Sequence, residues 1–177
     1  MMLVYLSMIE DDPSRAWFAS VYDQYRDLLL YRARQILQDD RDAEDMVHET
    51  FLVLAGQPDR LGEGKDPRNK AFLLAILENK AINLWRRRRH LGEQVTYEEE
   101  VHIPAHKGEG IGLDVAIARL PAEYRSVILL RYHMGYTARE IARMTGKKEG
   151  TVTRTITRAK TRLAKELEII QKELQSI

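Results

Sequence analysis

The sequence predicts an all-α protein built from two small helical domains joined by a linker. Apolar residues recur at helical three-and-four spacing along most of the 177-residue chain, and no stretch shows the alternation of a half-buried strand. Glycine and proline collect in one polar segment past the middle of the chain, where they disfavour regular structure. We therefore predict a first domain at residues 14–91, a linker at 92–112 and a second domain at 113–177.

The N-terminal segment Met1–Ile9 is apolar but too short to span a bilayer. It also lacks the basic start and the small-residue cleavage site of a signal peptide. We expect this segment to pack on the first domain or to fray, and we expect a cytoplasmic protein without membrane insertion.

Three helices are predicted in the first domain. Ser14 suits the N-cap of the first helix, which runs to about Leu37. Asp39-Asp40 breaks that helix and caps the second, Arg41–Leu54. The third helix runs from about Asn69 to Arg88, with apolar residues on one side and a basic run at its end.

Charge alternates along this half of the chain. Residues 10–50 carry eleven acidic side chains against five basic ones, and residues 51–92 carry nine basic against four acidic. Such blocks predict a chain that contacts both a basic protein surface and DNA. The exposed side of the second helix is acidic and polar, and it comprises Asp42, Asp45, His48 and Glu49.

The second domain has the pattern of a helix-turn-helix preceded by one extra helix. Pro121 suits the first position of the extra helix, and Gly135 ends it. Thr137 and Glu140 have the spacing of a capping box for a short helix, which Gly146 ends. The longer helix that follows has one apolar stripe, made of Val152, Ile156, Ala159, Leu163, Leu167 and Ile170.

The other side of this long helix is polar and basic. From Thr137 to Lys165 nine basic residues accompany two acidic ones, a charge balance that favours binding to phosphate through counterion release. A helical bundle with a solvated basic face is the alternative. Ala142, Gly146 and Val152 favour DNA binding, because the motif needs small, left-handed and buried residues there. The predicted DNA-contacting residues are Thr151, Thr153, Arg154, Thr157 and Arg158.

This second domain resembles region 4 of bacterial RNA polymerase sigma factors, and most closely that of the extracytoplasmic-function (ECF) group. The resemblance is carried by Leu120-Pro121, the helix-turn-helix and the sequence Gly150-Thr151-Val152. It implies that this domain binds the minus-thirty-five promoter element and the β flap of the polymerase.

The first domain resembles region 2 of the same family. The sequence DAEDMVHETF, Asp42 to Phe51, is similar to region 2.2, which docks on the β′ clamp helices of core RNA polymerase. The resemblance implies a core-binding role for the acidic face, and an exposed acidic helix suits a basic partner. On charge alone, a solvated helix face explains the same residues.

The sequence AFLLAILENKAINLWRRRRH is similar to regions 2.3 and 2.4, which open the minus-ten element. Family members often have arginine at Glu78 and aspartate at Asn83, and an acid at Glu78 is expected to repel phosphate. The loop Gln57–Arg68 corresponds to the family's flipped-base pocket. The predicted minus-ten DNA-binding residues are Lys70, Asn79, Lys80, Asn83, Arg86 and Arg87.

The linker is acidic at Glu98–Glu100. In the family the corresponding segment threads the polymerase channel, where an acidic strand can mimic nucleic acid. A plain tether between the domains explains the composition equally well.

No site for covalent chemistry, cofactor or metal is predicted. The chain has no cysteine, and Pro104 interrupts any helix that could align His102 with His106. The GEGK sequence that starts at Gly62 lacks the other residues of a phosphate loop. We therefore predict a protein that is not an enzyme.

The sequence thus predicts a two-domain transcription initiation factor that binds core polymerase and promoter DNA. An anti-sigma partner is implied by the family. A stand-alone helix-turn-helix regulator with a sensing or dimerisation domain at its N-terminus is the alternative. It would give the acidic helix and the basic third helix no role. A sigma-like protein that binds polymerase without initiating is a further possibility.

Overall fold

The computed structural model of the chain describes residues 2–57, 66–90 and 111–175. It consists of two compact units, Met1–Tyr97 and Glu98–Ile177, and the division between them falls inside the predicted linker. All regular structure in the described ranges is helical, which confirms the predicted fold class.

The first unit contains α1 (Met2–Leu6), α2 (Asp12–Leu37), α3 (Asp40–Ala55) and α4 (Pro67–His90). Helices α2, α3 and α4 pack against one another. Their shared core excludes large apolar side chains from water, which is the main force that holds the three helices together. The fully buried members include Phe18, Leu29, Ile36, Phe51, Leu54, Phe72, Leu73, Ile76 and Leu77.

The helix starts follow from local side-chain to backbone hydrogen bonds. Asp39 caps α3 as predicted, because its Oδ1 accepts the Asp42 amide proton at 2.9 Å. The prediction that Ser14 caps α2 was wrong. The cap is Asp11, whose Oδ1 accepts a hydrogen bond from the amide of Ser14, three residues later, at 2.8 Å.

The N-terminal segment packs on the first unit. Tyr5 of α1 is 1% exposed, and its ring lies 5.3 Å from that of Phe18 and 6.0 Å from that of Phe51, centroid to centroid. Ile9 is buried as well. The core of this unit therefore includes residues that precede the predicted start at residue 14.

The second unit contains α5 (Ile111–Ala118), α6 (Ala122–Ile128), α7 (Ala138–Thr145) and α8 (Glu149–Gln175), with a π-helical turn at Leu129–His133 after α6. Helix α8 packs against α5, α6 and α7 in turn, so it forms the spine of the unit. In the described ranges, no helix combines the length and the apolar composition needed to cross a bilayer.

Two details of the second unit differ from the sequence prediction. Pro121 is the N-cap residue of α6, one position before the predicted one. On α8 the buried residues are Val152, Thr155, Ala159, Glu166 and Ile170, whereas Ile156, Leu163 and Leu167 of the predicted stripe are only half-buried. The buried face is thus rotated toward Thr155, whose hydroxyl donates to the Thr151 carbonyl oxygen at 2.9 Å.

Candidate nucleic-acid interface and acidic helix face

The start of α8 presents the predicted DNA-contacting residues to solvent. Thr151, Thr153, Arg154, Thr157 and Arg158 are all exposed. Val152, Thr155 and Ala159 hold the opposite side of the helix in the core. The structure therefore places the five predicted residues together on one helix surface, which we call the α8 face.

Helix α7 and the turn after it fix the direction of α8. The predicted capping box is confirmed, because Thr137 Oγ1 accepts the Glu140 amide proton at 3.2 Å and Glu140 Oε2 accepts the Thr137 amide proton at 2.8 Å. Gly146 then adopts the left-handed conformation, at φ 71°, and turns the chain into α8.

One base of this stretch serves the fold. Lys147 Nζ lies 2.8 Å from Glu123 Oε1, and both side chains are nearly buried. This ion pair joins the turn before α8 to α6, so Lys147 does not add to the exposed basic surface as the sequence suggested. Arg139, Arg143 and Lys148 remain exposed.

The hydrogen-bonding groups of the α8 face are not equivalent. Thr153 Oγ1 donates to the Glu149 carbonyl oxygen at 3.0 Å, and Thr157 Oγ1 donates to the Thr153 carbonyl oxygen at 3.1 Å. The hydroxyl protons are therefore used inside the helix. Within the described chain Arg154 and Arg158 make no ion pair, so their guanidinium groups are available to phosphate or to a base edge.

The four acidic-face residues of α3 differ in accessibility. Asp45 is exposed, and Glu49 is 47% exposed at its side chain. Asp42 is nearly buried, at 14% of its side chain, and is paired with Arg88 of α4. Burial raises the pKa of the Asp42 carboxyl, and the nearby Arg88 guanidinium opposes that rise.

His48 is partly covered by α1. Tyr5 Oη lies 2.5 Å from His48 Nδ1, and the two ring centroids are 5.2 Å apart. Burial raises the pKa of Tyr5 to about 12, so the phenol stays protonated and can donate to an unprotonated Nδ1. Asp45 and Glu49 are therefore the members of the acidic face that a partner can reach directly.

Lys80 of α4, like Arg88, is paired with an acidic residue of α3. Its Nζ lies 2.7 Å from Glu49 Oε2, and its side chain is only 14% exposed. Lys80 was predicted to bind minus-ten DNA, and Glu49 was predicted to bind polymerase. The structure pairs the two residues with each other, so in this conformation Lys80 is not presented to a phosphate.

Two further residues of α4 face the core. Asn79 is 1% exposed and donates from Nδ2 to the Ala75 carbonyl oxygen at 2.9 Å, so its amide is not on the surface where a base edge could be read. Glu78 is 4% exposed, and its Oε1 accepts from Arg32 Nε of α2 at 2.8 Å. The expectation that Glu78 repels phosphate is wrong, because this carboxylate is enclosed beside a guanidinium.

The accessible basic surface of α4 lies at its C-terminal end. Arg86 and Arg87 are exposed, and the Arg89 guanidinium lies 5.4 Å from the Trp85 ring centroid. Lys70 and Asn83, the other predicted minus-ten residues, are half-buried. Positive charge beside an aromatic ring is the combination found in sites that bind single-stranded nucleic acid.

Sequence reasoning missed Tyr5, Arg32 and Arg88 as partners of the predicted residues. Their partners lie 43 to 46 positions away along the chain, so no local spacing indicates them. Most of the loop predicted to hold a flipped base lies outside the described residues, as do residues 92–110 of the linker with His102 and His106. The last two residues of the predicted linker, Ile111 and Gly112, instead belong to α5. In the described chain no cluster of three or more metal-binding side chains occurs.

Comparison with known proteins agrees with this geometry. Residues 21–91 match the family model of sigma-70 region 2, and residues 112–163 match that of sigma-70, region 4. The ECF RNA polymerase sigma factor SigL of Mycobacterium tuberculosis is 30% identical over 148 residues, which are 77% of this chain and 81% of SigL. The RNA polymerase sigma-E factor of Streptomyces coelicolor is 30% identical over 149 residues, which are 80% and 81% of the two chains.

Among solved structures, the sigma factor RpoE in complex with the anti-sigma factor NepR from Bartonella quintana is 24% identical, with a TM-score of 0.38. That match covers 84% of this chain and 97% of the other. The two family regions and the identity to SigL over four fifths of its length lead to one conclusion. The chain belongs to the ECF group of the sigma-70 family of bacterial RNA polymerase sigma factors.

Proposed function

We propose that this chain binds core RNA polymerase, directs it to specific promoters and helps to melt the minus-ten element, and that it does no covalent chemistry itself. The observation that carries the proposal is that one ECF-family chain has two exposed charged surfaces. One unit has an acidic helix face, and the other unit has the basic α8 face. Each surface is complementary to one of the two macromolecules that an initiation factor must join.

Polymerase binding is assigned to Asp45 and Glu49 of α3, in contact with the basic surface of the β′ clamp helices. Both carboxylates lie on the side of the helix opposite Met46, Val47 and Phe51, which are buried. A partner can therefore engage them without disturbing the core. The close contact of opposite charges favours rapid association and correct orientation.

Minus-ten binding is assigned to the C-terminal end of α4, where Arg86 and Arg87 are exposed next to Trp85. Lys70 and Asn83 remain candidates at the half-buried margin of the same helix. Asn79 and Lys80 are removed from this assignment, since the first is buried and the second is paired with Glu49.

Minus-thirty-five binding is assigned to the α8 face, entering the major groove in the manner of a recognition helix. Arg154 and Arg158 have the side chains that pair bidentately with guanine or bridge to phosphate. We further propose, from family membership alone, that the second unit contacts the β flap and that an anti-sigma factor regulates the protein.

Replacement of Asp45 by lysine tests the polymerase assignment. Because Asp45 is exposed and points away from the core, Asp45→Lys is expected to leave the melting temperature unchanged and to weaken core polymerase binding by at least tenfold, since like charges across an interface cost several kcal/mol. Binding is measured with purified core enzyme, and run-off transcription is measured on a genomic template library.

Asp23→Lys is the matched control, because Asp23 of α2 is also exposed and undergoes the same change of charge. Normal polymerase binding by Asp45→Lys would overturn the assignment of the acidic face. Tight polymerase binding by the wild type without any transcript would instead support a sigma-like protein that does not initiate.

A further inference from the structure

Two threonines on the α8 face have their hydroxyl groups turned back onto the helix. Thr153 and Thr157 lie one turn apart and are both exposed. Each Oγ1 donates to the carbonyl oxygen four residues earlier, at 3.0 Å and 3.1 Å. These bonds occupy the donor that each hydroxyl has, and they fix the side chain at its first torsion angle.

The orientation decides what these side chains can offer to DNA. A threonine Cβ carries a hydroxyl and a methyl group, so a hydroxyl that points to the backbone leaves the methyl group as the outward branch. Neither side chain can then donate to an acceptor such as guanine O6 or N7 without giving up its helix bond. The hydroxyl oxygen can still accept a hydrogen bond, but the branch turned outward is the methyl, and its natural partner in the major groove is the C5-methyl of thymine.

The neighbouring arginines of the α8 face, unlike the two threonines, have donors that can reach DNA. Arg154 and Arg158 alternate with the two threonines on the same surface, and in the described chain neither guanidinium is held in an ion pair. Between Thr153 and Arg158, the exposed side-chain donors that remain available are therefore on the arginines. Thr155, the remaining threonine between them, is buried and faces the core.

We propose that Thr153 and Thr157 recognise thymine C5-methyl groups in the minus-thirty-five duplex, so that this chain selects thymine by apolar contact at the positions they face. The inference rests on the proposed function of the α8 face and adds the chemistry by which that face discriminates between bases. Recognition by a methyl group predicts that uracil, which pairs like thymine but lacks the C5-methyl, is read poorly.

The probe is duplex DNA selected from a randomised library by the full-length chain bound to core polymerase at one fixed salt concentration. The enriched duplex is then remade as a set of duplexes, each with uracil in place of one thymine. Wild-type protein is expected to bind a duplex that lacks one contacted methyl group about fourfold more weakly, the effect of exposing one methyl-sized apolar group.

Two replacements at each threonine separate the methyl group from the hydroxyl. Thr153→Ser and Thr157→Ser keep the hydroxyl and lose the methyl, so the preference for thymine over uracil should disappear at the corresponding base. Thr153→Val and Thr157→Val keep a methyl and lose the hydroxyl, so the preference should remain. Thr161→Ser is the matched control, because Thr161 makes the same helix bond, at 3.2 Å, one turn farther from the N-terminal end that enters the groove.

Equal binding of thymine and uracil duplexes by the wild type would overturn the inference while leaving the minus-thirty-five assignment intact. A thymine preference that survives in the serine variants and is lost in the valine variants would overturn it in favour of reading by the hydroxyl. Failure to enrich any duplex would remove the minus-thirty-five assignment and this inference together.

Discussion

The Arg32–Glu78 pair lies between α2 and α4 in the core of the first unit. The two side chains are 13% and 5% exposed, and Nε and Oε1 are 2.8 Å apart. Removing one member of such a pair leaves the other charge buried without compensation, which typically costs about 3–5 kcal/mol. We therefore expect Arg32→Met to lower the free energy of unfolding by about 3 kcal/mol, as measured by urea denaturation.

The exposed Arg26–Asp27 pair provides the control. Its side chains are 46% and 91% exposed, and Arg26→Met should change the free energy of unfolding by less than about 1 kcal/mol. The double variant Arg32→Met with Glu78→Leu should recover much of the loss, because no charge is then left buried. Similar small effects for Arg32→Met and Arg26→Met would show that the pair does not join the two helices energetically.

Two aspartates of the first unit should affect stability with opposite dependence on pH. Burial raises the pKa of the Asp42 carboxyl above its ordinary value of 3.8, against the opposing charge of Arg88. The folded state then holds a proton that the unfolded state has lost, so wild-type stability falls as the pH rises from about 3.8 through the folded pKa. The side chain of Asp42→Asn does not titrate, so the free energy of unfolding of this variant should rise relative to that of the wild type as the pH increases across that window.

Asp11 should show the reverse. The Ser14 amide, which donates to the Asp11 carboxylate, lowers the pKa of that carboxyl, so its stabilisation is present above 3.8 and is lost as the pH falls through the lower folded pKa. The free energy of unfolding of Asp11→Asn should therefore fall relative to that of the wild type as the pH rises. The measurement is the free energy of unfolding of the three proteins at several pH values between 2 and 7, and parallel curves would contradict both assignments.

At the level of single residues, the sequence predicted local bonds well and distant ones poorly. The Asp39 cap, the Thr137–Glu140 capping box and the Gly146 turn follow from residue types at fixed short spacings, and all are present. Asn79 was assigned to minus-ten DNA because its segment resembles regions 2.3 and 2.4, and Glu78 of the same segment was expected to repel phosphate. They are buried because α4 is enclosed by α2 and α3, and their environment is set by packing that no local pattern encodes.

At the level of elements, the connection between α7 and α8 depends on one glycine. Gly146 has a φ of 71°, a conformation that disfavours any side chain, although no atom would clash with an added Cβ. Gly146→Ala should therefore lower the free energy of unfolding by about 1 kcal/mol. The cost arises from the backbone and not from lack of space.

Gly150 provides the contrast. It lies in the first turn of α8 with ordinary backbone angles, and an added Cβ would again meet nothing within 4 Å. Gly150→Ala should raise the free energy of unfolding by about 0.5 kcal/mol, because alanine loses less backbone entropy in a helix. Thermal or urea unfolding of the two variants compares them, and destabilisation by both would mean that α8 is strained at its start.

The boundaries of the helices were predicted less accurately than their existence. Helix α3 begins at Asp40 and ends at Ala55, one residue beyond each predicted end, and α4 extends from Pro67 to His90. The half-buried Ile156 of α8 shows the same limitation, since apolar spacing indicates an amphipathic helix without fixing the rotation of its buried face. That rotation is set by the neighbouring helices α5, α6 and α7.

For the whole molecule, the two units have separate cores and separate proposed partners. The acidic face belongs to the unit Met1–Tyr97, and the α8 face belongs to the unit Glu98–Ile177. The sequence predicted two domains because glycine and proline collect in one polar segment between two helical patterns. It could not show that Glu49 of α3 forms an ion pair with Lys80 of α4, although the two residues had been assigned to different partners.

Separation of the chain into its two units tests whether they are independent. Each unit has its own set of fully buried side chains, so fragments 1–97 and 98–177 are expected to be helical and to unfold cooperatively on their own, as followed by circular dichroism during heating. Limited proteolysis of the intact chain should cut first between residues 92 and 112. A first cut within Asp40–Ala55, or an unfolded isolated fragment, would contradict the division.

The same fragments test why the two units are joined. Fragment 1–97 should still bind core polymerase, since Asp45 and Glu49 lie within it, but more weakly than the whole chain, which also has the proposed contact with the β flap. Fragment 98–177 should retain its affinity for duplex DNA. A mixture of the two should nevertheless support much less promoter-specific transcription than the intact chain. A covalent connection gives the second binding event an effective concentration that free fragments at micromolar concentration do not reach. Transcription by the mixture at the level of the intact chain would show that the connection contributes nothing to promoter selection, and that each unit finds its site on polymerase or DNA unaided.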